Sequence, residues 1–258
     1  MTCVDLLCEA RIREVILEAH PDHVVLGEEE GQPGRGGNLG GGRRAAHGGA
    51  DPEDHERGHD DGPGTSHLDG YRWIVDPLDG TVNYAHGFPF YCVSIALEIA
   101  GDLAVGVVYD GERDELFTAV RGAGAHLNGR PIAVSHESSP KRALLGTGFA
   151  YSGPDIQRNL EVFARTLPQV QAIRRPGAAA LDICYVACGR LDGFWELSLQ
   201  PWDVAAAVVI VREAGGTVTG VGGAPYRLHD PVLVASNGHL HARLLDVLRL
   251  DTVLAGPG

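Results

Sequence analysis

Apolar residues change their spacing along the chain, and the change predicts where helices and strands lie. Residues 6–20 place an apolar side chain at every third or fourth position, which predicts a helix that Pro21 ends. Short apolar runs at residues 23–26 and 72–75 predict buried strands. The first of these strands delivers Glu28 at its C-terminal end.

A series of apolar runs with turn residues between them follows the second strand. Glycine-containing dipeptides of the kind found in tight turns separate the runs, which predicts an antiparallel meander. The predicted strands cover residues 91–99, 103–109, 115–119 and 132–134.

The pattern changes again after about residue 140, where strand-like and helix-like segments alternate. This alternation predicts a layered α/β half. We therefore divide the chain into an N-terminal half, residues 1–140, and a C-terminal α/β half, residues 141–258. The predicted strands lie near Leu144, near Val170, at 193–196 and at 232–236, and the predicted helices at 156–167, 178–188, 204–214 and 239–250.

Residues 31–67 differ in kind from the rest of the chain. The segment is roughly one-third glycine, and Leu39 is its only large aliphatic residue. Because it cannot bury enough apolar surface to form a core, we predict a disordered insertion. It contains an H-E-x-x-H pattern at residues 55–59, but Gly58 interrupts the helix that a zinc protease site needs, so we reject that site.

Composition excludes several classes of protein. The 258 residues carry a net charge of −13, which opposes nonspecific binding to nucleic acid, so we expect no nucleic-acid partner. We find neither an apolar run of membrane-spanning length nor a signal-peptide pattern, so we expect a cytoplasmic protein without a membrane partner. The five cysteines show no paired spacing, and we predict buried thiols at Cys3, Cys8, Cys92, Cys184 and Cys188.

Four carboxylates stand at the ends of predicted elements. They are Glu28, Asp76, Asp79 and Asp203. Oxygen-rich clusters of this kind suit Mg²⁺, which binds carboxylates together with water and phosphate. Taken alone, the D-P-L-D-G-T segment at residues 76–81 also fits a capped turn.

Several motifs in order resemble those of the inositol monophosphatase family, part of the magnesium-dependent, lithium-sensitive phosphatase superfamily. W-I-V-D-P-L-D-G-T-V-N-Y at residues 73–84 resembles its signature, L-G-E-E at 26–29 its glutamate motif, and P-W-D-V-A-A-A at 201–207 its C-terminal motif. Two further segments, at 122–132 and 174–182, are also similar. The resemblance implies an α+β fold, a layered α/β/α/β/α sandwich of the sugar-phosphatase type with an antiparallel N-terminal sheet and a mixed C-terminal sheet.

The resemblance also implies a role for each matching residue. The implied metal ligands are Glu28, Asp76, the carbonyl of Leu78, Asp79 and Asp203, with Glu29 beside them. The implied catalytic residues are Glu28, Thr81 and Asp76, and the implied substrate-binding residues are Gly80, Thr81, Ala179 and Glu196. Mg²⁺ is the implied cofactor.

The implied reaction is hydrolysis of a phosphorylated polyol, myo-inositol monophosphate first. Relatives that act on histidinol phosphate, fructose 1,6-bisphosphate or nucleotide 3'-phosphates leave the substrate open. A further alternative is a non-catalytic partner of the transcription machinery. The resemblance also suggests a homodimer.

The start of the chain departs from the family pattern. Residues 1–5, M-T-C-V-D, match the family's V-T-x-x-D with Met in place of Val, which makes Asp5 a candidate outer-shell metal residue. The family's leading helix has no counterpart before them. We therefore expect a misplaced start, with a genuine truncation as the alternative.

Overall fold

Two β-sheets with a pair of helices between them form the framework of the molecule. The computed structural model describes residues 2–29, 70–150, 153 and 155–254, so the predicted insertion at 31–67 lies outside the described residues. Within those residues the first sheet has the order β1 (Val24–Gly27), β2 (Tyr71–Asp79), β3 (Cys92–Ile99), β4 (Asp102–Asp110), β5 (Glu115–Val120), β6 (Ala125–Leu127) and β7 (Arg130–Pro131).

The second sheet is built from the C-terminal half of the chain. Its strand order is β11 (Thr217–Thr219), β12 (Val232–Ser236), β10 (Gly193–Leu197), β8 (Leu144–Thr147) and β9 (Ala172–Arg174). Strands β8, β9 and β10 are parallel, whereas β12 runs antiparallel to β10 and β11. The mixed C-terminal sheet is therefore confirmed.

Helices cover both outer faces and fill the space between the sheets. The helices are α1 (Cys3–Ala19), α2 (Thr81–Ala85), α3 (Asp155–Thr166), α4 (Ala179–Ala187), α5 (Pro201–Glu213), α6 (His241–Leu248) and α7 (Leu250–Leu254). Helix α1 packs on β2, α4 and α5 lie between the sheets, and α3 and α6 pack on the outer face of the second sheet. This order of layers confirms the predicted α/β/α/β/α sandwich. No helix in the described part of the chain is both long and apolar enough to cross a lipid bilayer.

The prediction of a purely antiparallel first sheet is wrong at its edge. Strand β1 pairs with β2 in parallel, with Val24 opposite Arg72 and Gly27 opposite Val75. Parallel neighbours need a long crossover connection, and the chain between these two strands is long enough to return along the sheet. Strands β2 to β7 are antiparallel, as predicted.

Two predicted strands and one predicted helix have other bounds in the structure than those predicted. The strand predicted at 132–134 is β7 at Arg130–Pro131, because the N–H of Val134 donates to the carbonyl oxygen of Ala214, the residue after α5, instead of to a neighbouring strand. The strand predicted near Val170 begins at Ala172, since a 3-10 turn occupies Leu167–Gln169.

The helix predicted at 239–250 is divided in two. Arg249 adopts a left-handed conformation with φ 45°, so α6 ends at Leu248 and α7 begins at Leu250.

The cysteine prediction holds only in part. All five thiols are free, and Cys92 and Cys184 are buried. Cys8 and Cys188 are only partly buried. The prediction is wrong for Cys3, which is exposed because it lies in the first turn of α1, at the edge of the fold.

Helix α5 is held tightly against the first sheet. A Cβ added to Gly106 of β4 would lie 2.3 Å from Ala206 O, so only glycine allows the helix backbone to approach this closely. At the other end of α5, the Glu213 carboxylate accepts hydrogen bonds from Gly122 N and Gly124 N, both at 2.9 Å. These contacts fix the direction in which the first turn of α5 presents Asp203.

Candidate active site

A cavity of about 510 Å³ lies where the two sheets and the middle helices meet. Every residue predicted as a metal ligand, a catalytic residue or a substrate-binding residue lines it, although the residues come from widely separated parts of the chain. These residues are Glu28, Asp76, Leu78, Asp79, Gly80, Thr81, Ala179, Glu196 and Asp203. The structure therefore brings together the whole of this predicted set, while the role of each residue stays a prediction. Glu29, expected beside the ligands, is not among the lining residues.

The end of β2 delivers two of the carboxylates through an irregular stretch of strand. Its pairing with β3 shifts register between Asp76 and Asp79. Asp76 is buried, and its Oδ1 accepts a hydrogen bond from Leu78 N at 2.9 Å. Gly80 then adopts φ 93°, in the left-handed region that favours glycine, and turns the chain into α2.

Asp79 is held by the opposite half of the molecule. Its Oδ2 accepts a hydrogen bond from Ala180 N at 2.7 Å, and its Oδ1 accepts one from Ala179 N at 3.3 Å. Because the two amides lie at the beginning of α4, they stabilise the negative charge of Asp79. The carboxylate of a β2 residue is thereby fixed to a helix of the C-terminal half.

The Thr81 hydroxyl contacts a residue of α1, Asp5. Its Oγ1 lies 3.2 Å from Asp5 Oδ1 and 3.0 Å from the Leu78 carbonyl oxygen. Asp5 is fully buried, so it lies behind Thr81, and it is absent from the cavity lining. The expected outer-shell role of Asp5 stays a prediction.

Two further carboxylates, those of Asp203 and Glu196, line the cavity from the C-terminal half. Asp203 lies in the first turn of α5, and its Oδ2 accepts a hydrogen bond from Gln200 N at 2.7 Å. Glu196 projects from β10 across Gly148, where an added Cβ would lie 2.1 Å from both carboxylate oxygens. Gly148 is therefore a site residue that the sequence analysis missed.

Burial and mutual repulsion raise the pKa values of these carboxyl groups. Burial, and then the charge of Asp203, raises the pKa of Glu28 to about 7 and that of Asp79 to about 8. Burial raises the pKa of Asp203 to about 6, and burial together with the Asp79 charge raises that of Asp76. Several carboxyl groups of like charge therefore face one cavity, and the repulsion between them disfavours their ionised forms.

Glu196 shares this environment. Burial, and then the charges of Asp203 and Asp79, raises its pKa to about 8. Arg175 lowers the pKa of Glu196 and is the one cationic side chain among the described residues that line the cavity. The sequence analysis missed Arg175, since nothing in its local pattern indicates that it faces the carboxylates.

The donor set fits divalent cations of the Mg²⁺ type. Carboxylate oxygens from several elements face one cavity, and the accumulated charge would be neutralised by hard cations that prefer oxygen ligands. Among the described His, Cys, Asp and Glu side chains, no three already converge on a single point.

Comparisons with known proteins agree with this geometry. The model of the inositol monophosphatase family matches residues 1–250. The inositol-1-monophosphatase of Synechocystis sp. is 41% identical over 249 residues, which cover 96% of this chain and 76% of the relative. The fructose-1,6-bisphosphatase/inositol-1-monophosphatase of Aquifex aeolicus is 39% identical, with coverage of 95% and 80%.

A third relative carries a different kind of name. The Nus factor SuhB of Pseudomonas aeruginosa is 39% identical, with coverage of 96% of this chain and 82% of the relative. Among solved structures, the inositol monophosphatase from Anabaena superposes with a TM-score of 0.77 at 39% identity, covering 95% of this chain and 85% of that one.

Proposed function

Because the chain belongs to the inositol monophosphatase family, we propose that it hydrolyses a phosphate monoester with the help of Mg²⁺, most favourably myo-inositol monophosphate. The observation that carries the proposal is the cavity itself. Four carboxylates from β2, α5 and the end of β1 face it, and repulsion between their charges contributes to the raised pKa values of Glu28, Asp76 and Asp79. Such a wall would repel a phosphate unless cations intervened.

Each carboxylate has a defined part in the proposed site. Glu28, Asp76, Asp79 and Asp203 would hold the cations together with the Leu78 carbonyl. When bound, Mg²⁺ lowers the pKa of nearby water and neutralises charge on the phosphate. Phosphoryl transfer needs positioning and charge neutralisation more than covalent chemistry, which fits a site rich in carboxylates.

Thr81 is suited to hold the attacking water. If its hydroxyl donates to Asp5 or to the Leu78 carbonyl, the Thr81 oxygen keeps lone pairs that can accept a hydrogen bond from water. Glu28 would hold the same water from a second direction and favour loss of its proton. The amides of Gly80 and Thr81 would bind phosphate oxygens.

The polyol would lie toward the C-terminal half. Glu196 would accept a hydrogen bond from a ring hydroxyl, and Ala179 would contact the ring. The family resemblance implies that this contact is made by the backbone of Ala179, whose N–H is directed toward Asp79 Oδ1 at 3.3 Å.

A panel of substrates tests the proposal. Phosphate release would be measured with myo-inositol 1-phosphate, histidinol phosphate, fructose 1,6-bisphosphate and a nucleotide 3'-phosphate, each with Mg²⁺ and with EDTA. We expect Mg²⁺-dependent release, with kcat/KM highest for the inositol substrate, and inhibition by Li⁺. A higher kcat/KM for another member of the panel would reassign the substrate.

The same panel tests the alternative of another class. Folded protein that binds Mg²⁺ but hydrolyses none of the four substrates would favour a non-catalytic role, which the Nus factor name of one relative raises. The homodimer is likewise a proposal, and light scattering coupled to size-exclusion chromatography measures it directly.

A further inference from the structure

We propose that Glu9 and Arg13 of α1 form a clamp that holds the turn at residues 27–29 and thereby positions the Glu28 carboxylate for metal binding. The proposal rests on the proposed function, because it assigns Glu28 to the metal site. Glu9 is a positioning residue, since it does not line the cavity.

The clamp consists of hydrogen bonds between α1 and the end of β1. Glu9 is 1% exposed, and its Oε2 accepts a hydrogen bond from the backbone N of Glu29 at 2.9 Å. Its Oε1 accepts one from Arg13 Nε at 2.9 Å. Arg13 Nη1 in turn donates to the Val25 carbonyl oxygen at 3.1 Å. The two side chains therefore hold the strand and the turn that follows it.

Gly27 shows how closely the clamp fits. A Cβ added at Gly27 would lie 2.2 Å from Glu9 Oε1 and 2.4 Å from Oε2. Gly27 has no positive φ, so the need for glycine is steric and not conformational. The Glu9 carboxylate occupies the space that a side chain at position 27 would fill. It thus contacts the chain immediately before and immediately after Glu28.

The buried face of α1 is unusual for a helix that only packs on a sheet. Asp5, Glu9 and Arg13 follow one another at intervals of four residues, so they lie on one face. Each has a partner beside the cavity or the strand that leads to it: Asp5 contacts Thr81, and Glu9 and Arg13 hold the ends of β1. Buried charges are costly in stability compared with apolar residues of the same size, which favours a role in positioning.

Glu9→Gln tests the clamp with the least change in shape. The neutral amide keeps one acceptor but loses the ion pair with Arg13. We therefore expect Mn²⁺ binding, measured by calorimetry, to weaken about tenfold, as is typical when a partner of a metal ligand is removed. The Mg²⁺ concentration for half-maximal phosphate release should rise to a similar degree. At saturating Mg²⁺, kcat and the KM for substrate should stay within about threefold of wild type, as expected when only metal affinity is changed.

Glu14→Gln is the matched control. Glu14 lies on the same helix and pairs with Arg11 at the surface, where both side chains are more than half exposed. We expect its Mn²⁺ affinity to equal that of the wild type. Wild-type Mn²⁺ affinity in folded Glu9→Gln would show that the clamp is only structural and would overturn the proposal.

Gly27→Ala disturbs the same contact from the β1 side, and it provides the test if Glu9→Gln does not fold. The added methyl group would displace an intact Glu9 carboxylate, so the same loss of Mn²⁺ affinity is expected, and an unchanged affinity would again overturn the proposal. Mn²⁺ binding does not need turnover. Wild-type protein that binds Mn²⁺ without releasing phosphate would therefore contradict the proposed function. The clamp would still be tested by the Mn²⁺ affinities of the two variants.

Discussion

At the scale of single residues, the cavity places carboxylates where their charges oppose one another. Asp76 is the most deeply buried of the four predicted ligands, and it is flanked by the charges of Asp79 and Glu28. We expect a residue in this position to destabilise the protein in the absence of a cation and to be needed for the proposed metal binding. Its two effects can be separated by one substitution.

Asp76→Asn should lower Mg²⁺-dependent turnover by several orders of magnitude, because a proposed ligand of the cations is lost. The melting temperature without metal should be equal to or higher than that of the wild type, since a repulsive buried charge is removed. Phosphate release and thermal melting with EDTA measure the two effects. Wild-type turnover in the mutant would refute the assignment of the site.

His241 is a second buried titratable residue, remote in sequence from the site. Its Nδ1 lies 2.8 Å from Ser236 Oγ and its Nε2 lies 2.9 Å from Thr219 Oγ1. Burial lowers the pKa of His241 below its ordinary value of 6.5. Above that value the ring is neutral in both folded and unfolded protein. Below it the unfolded chain takes up the proton first, so the folded state loses stability as pH falls.

His241→Gln should therefore remove part of the pH dependence of stability. We expect the melting temperature of the wild type to exceed that of the variant by more at pH 7.5 than at pH 5.5, in the same buffer with Mg²⁺. The other titrating groups are common to both proteins and cancel in the difference. A difference that is the same at both pH values would contradict the lowered pKa of His241.

Sequence reasoning found the site residues that stand at the ends of elements. Glu28, Asp76 and Asp203 follow recognisable strands or begin a helix, so their position can be inferred from local pattern and family motifs. Gly148 and Glu9 were missed because their importance comes from contacts with Glu196 and Gly27, which are distant in sequence. No local periodicity reports contacts of this kind.

At the scale of elements, the position of α5 depends on its close approach to β4. Gly106→Ala would place a methyl group within 2.3 Å of the Ala206 carbonyl oxygen, so helix and sheet would have to separate. We expect a loss of about 1–3 kcal/mol in the free energy of unfolding, the usual cost of overpacking a core. Metal affinity should also fall, since α5 carries Asp203. Urea denaturation and Mn²⁺ calorimetry test both.

Gly111→Ala is the matched control for this prediction. Position 111 lies in the turn after β4, and an added Cβ there would meet only Tyr109 Cε1, at 3.7 Å. Little change in stability or metal affinity is expected. If Gly106→Ala were as stable as this control, the close packing of α5 would not be required.

Elements with strong periodicity were predicted well, and their ends less well. Helix α4 and strand β12 lie within one or two residues of their predictions, because their apolar runs are long and bounded by turn residues. The bounds near 132–134 and 170 were wrong because Val134 bonds to Ala214 and a 3-10 turn precedes β9. A tertiary hydrogen bond decided the first and a local turn decided the second.

At the scale of the whole molecule, the parallel pairing of β1 and β2 constrains the connection between them. The chain leaves β1 at the cavity and must return along the sheet before β2 begins, which ordinarily takes a dozen or more residues. The layered architecture could be anticipated from family resemblance, but this parallel edge could not. The sequence of neither strand indicates whether the neighbouring strand runs parallel or antiparallel to it.

Residues 31–67 can therefore be shortened but not removed. Their composition offers little to bury, and doubling the length of a flexible loop costs only about 0.6 kcal/mol. A Gly/Ser linker of about 12 residues in their place should leave kcat within a few-fold, since it meets the ordinary length of a crossover. Outright deletion leaves residues 28–30 and 68–70 as the connection, and we expect it to impair folding. Loss of Mg²⁺-dependent activity in the folded linker variant would show that the segment contributes to the site.

The hydrogen bonds from α4 to Asp79 also bear on how the protein folds. They join residues 100 and 101 positions apart in sequence, one at the end of β2 and the others at the start of α4, in different halves of the chain. Contacts of such long range form late, because the entropy of closing a large loop must be overcome first. Each half can gain secondary structure while the cavity is still incomplete. The ability to bind a divalent cation should then be among the last properties to appear during refolding, after the halves have docked.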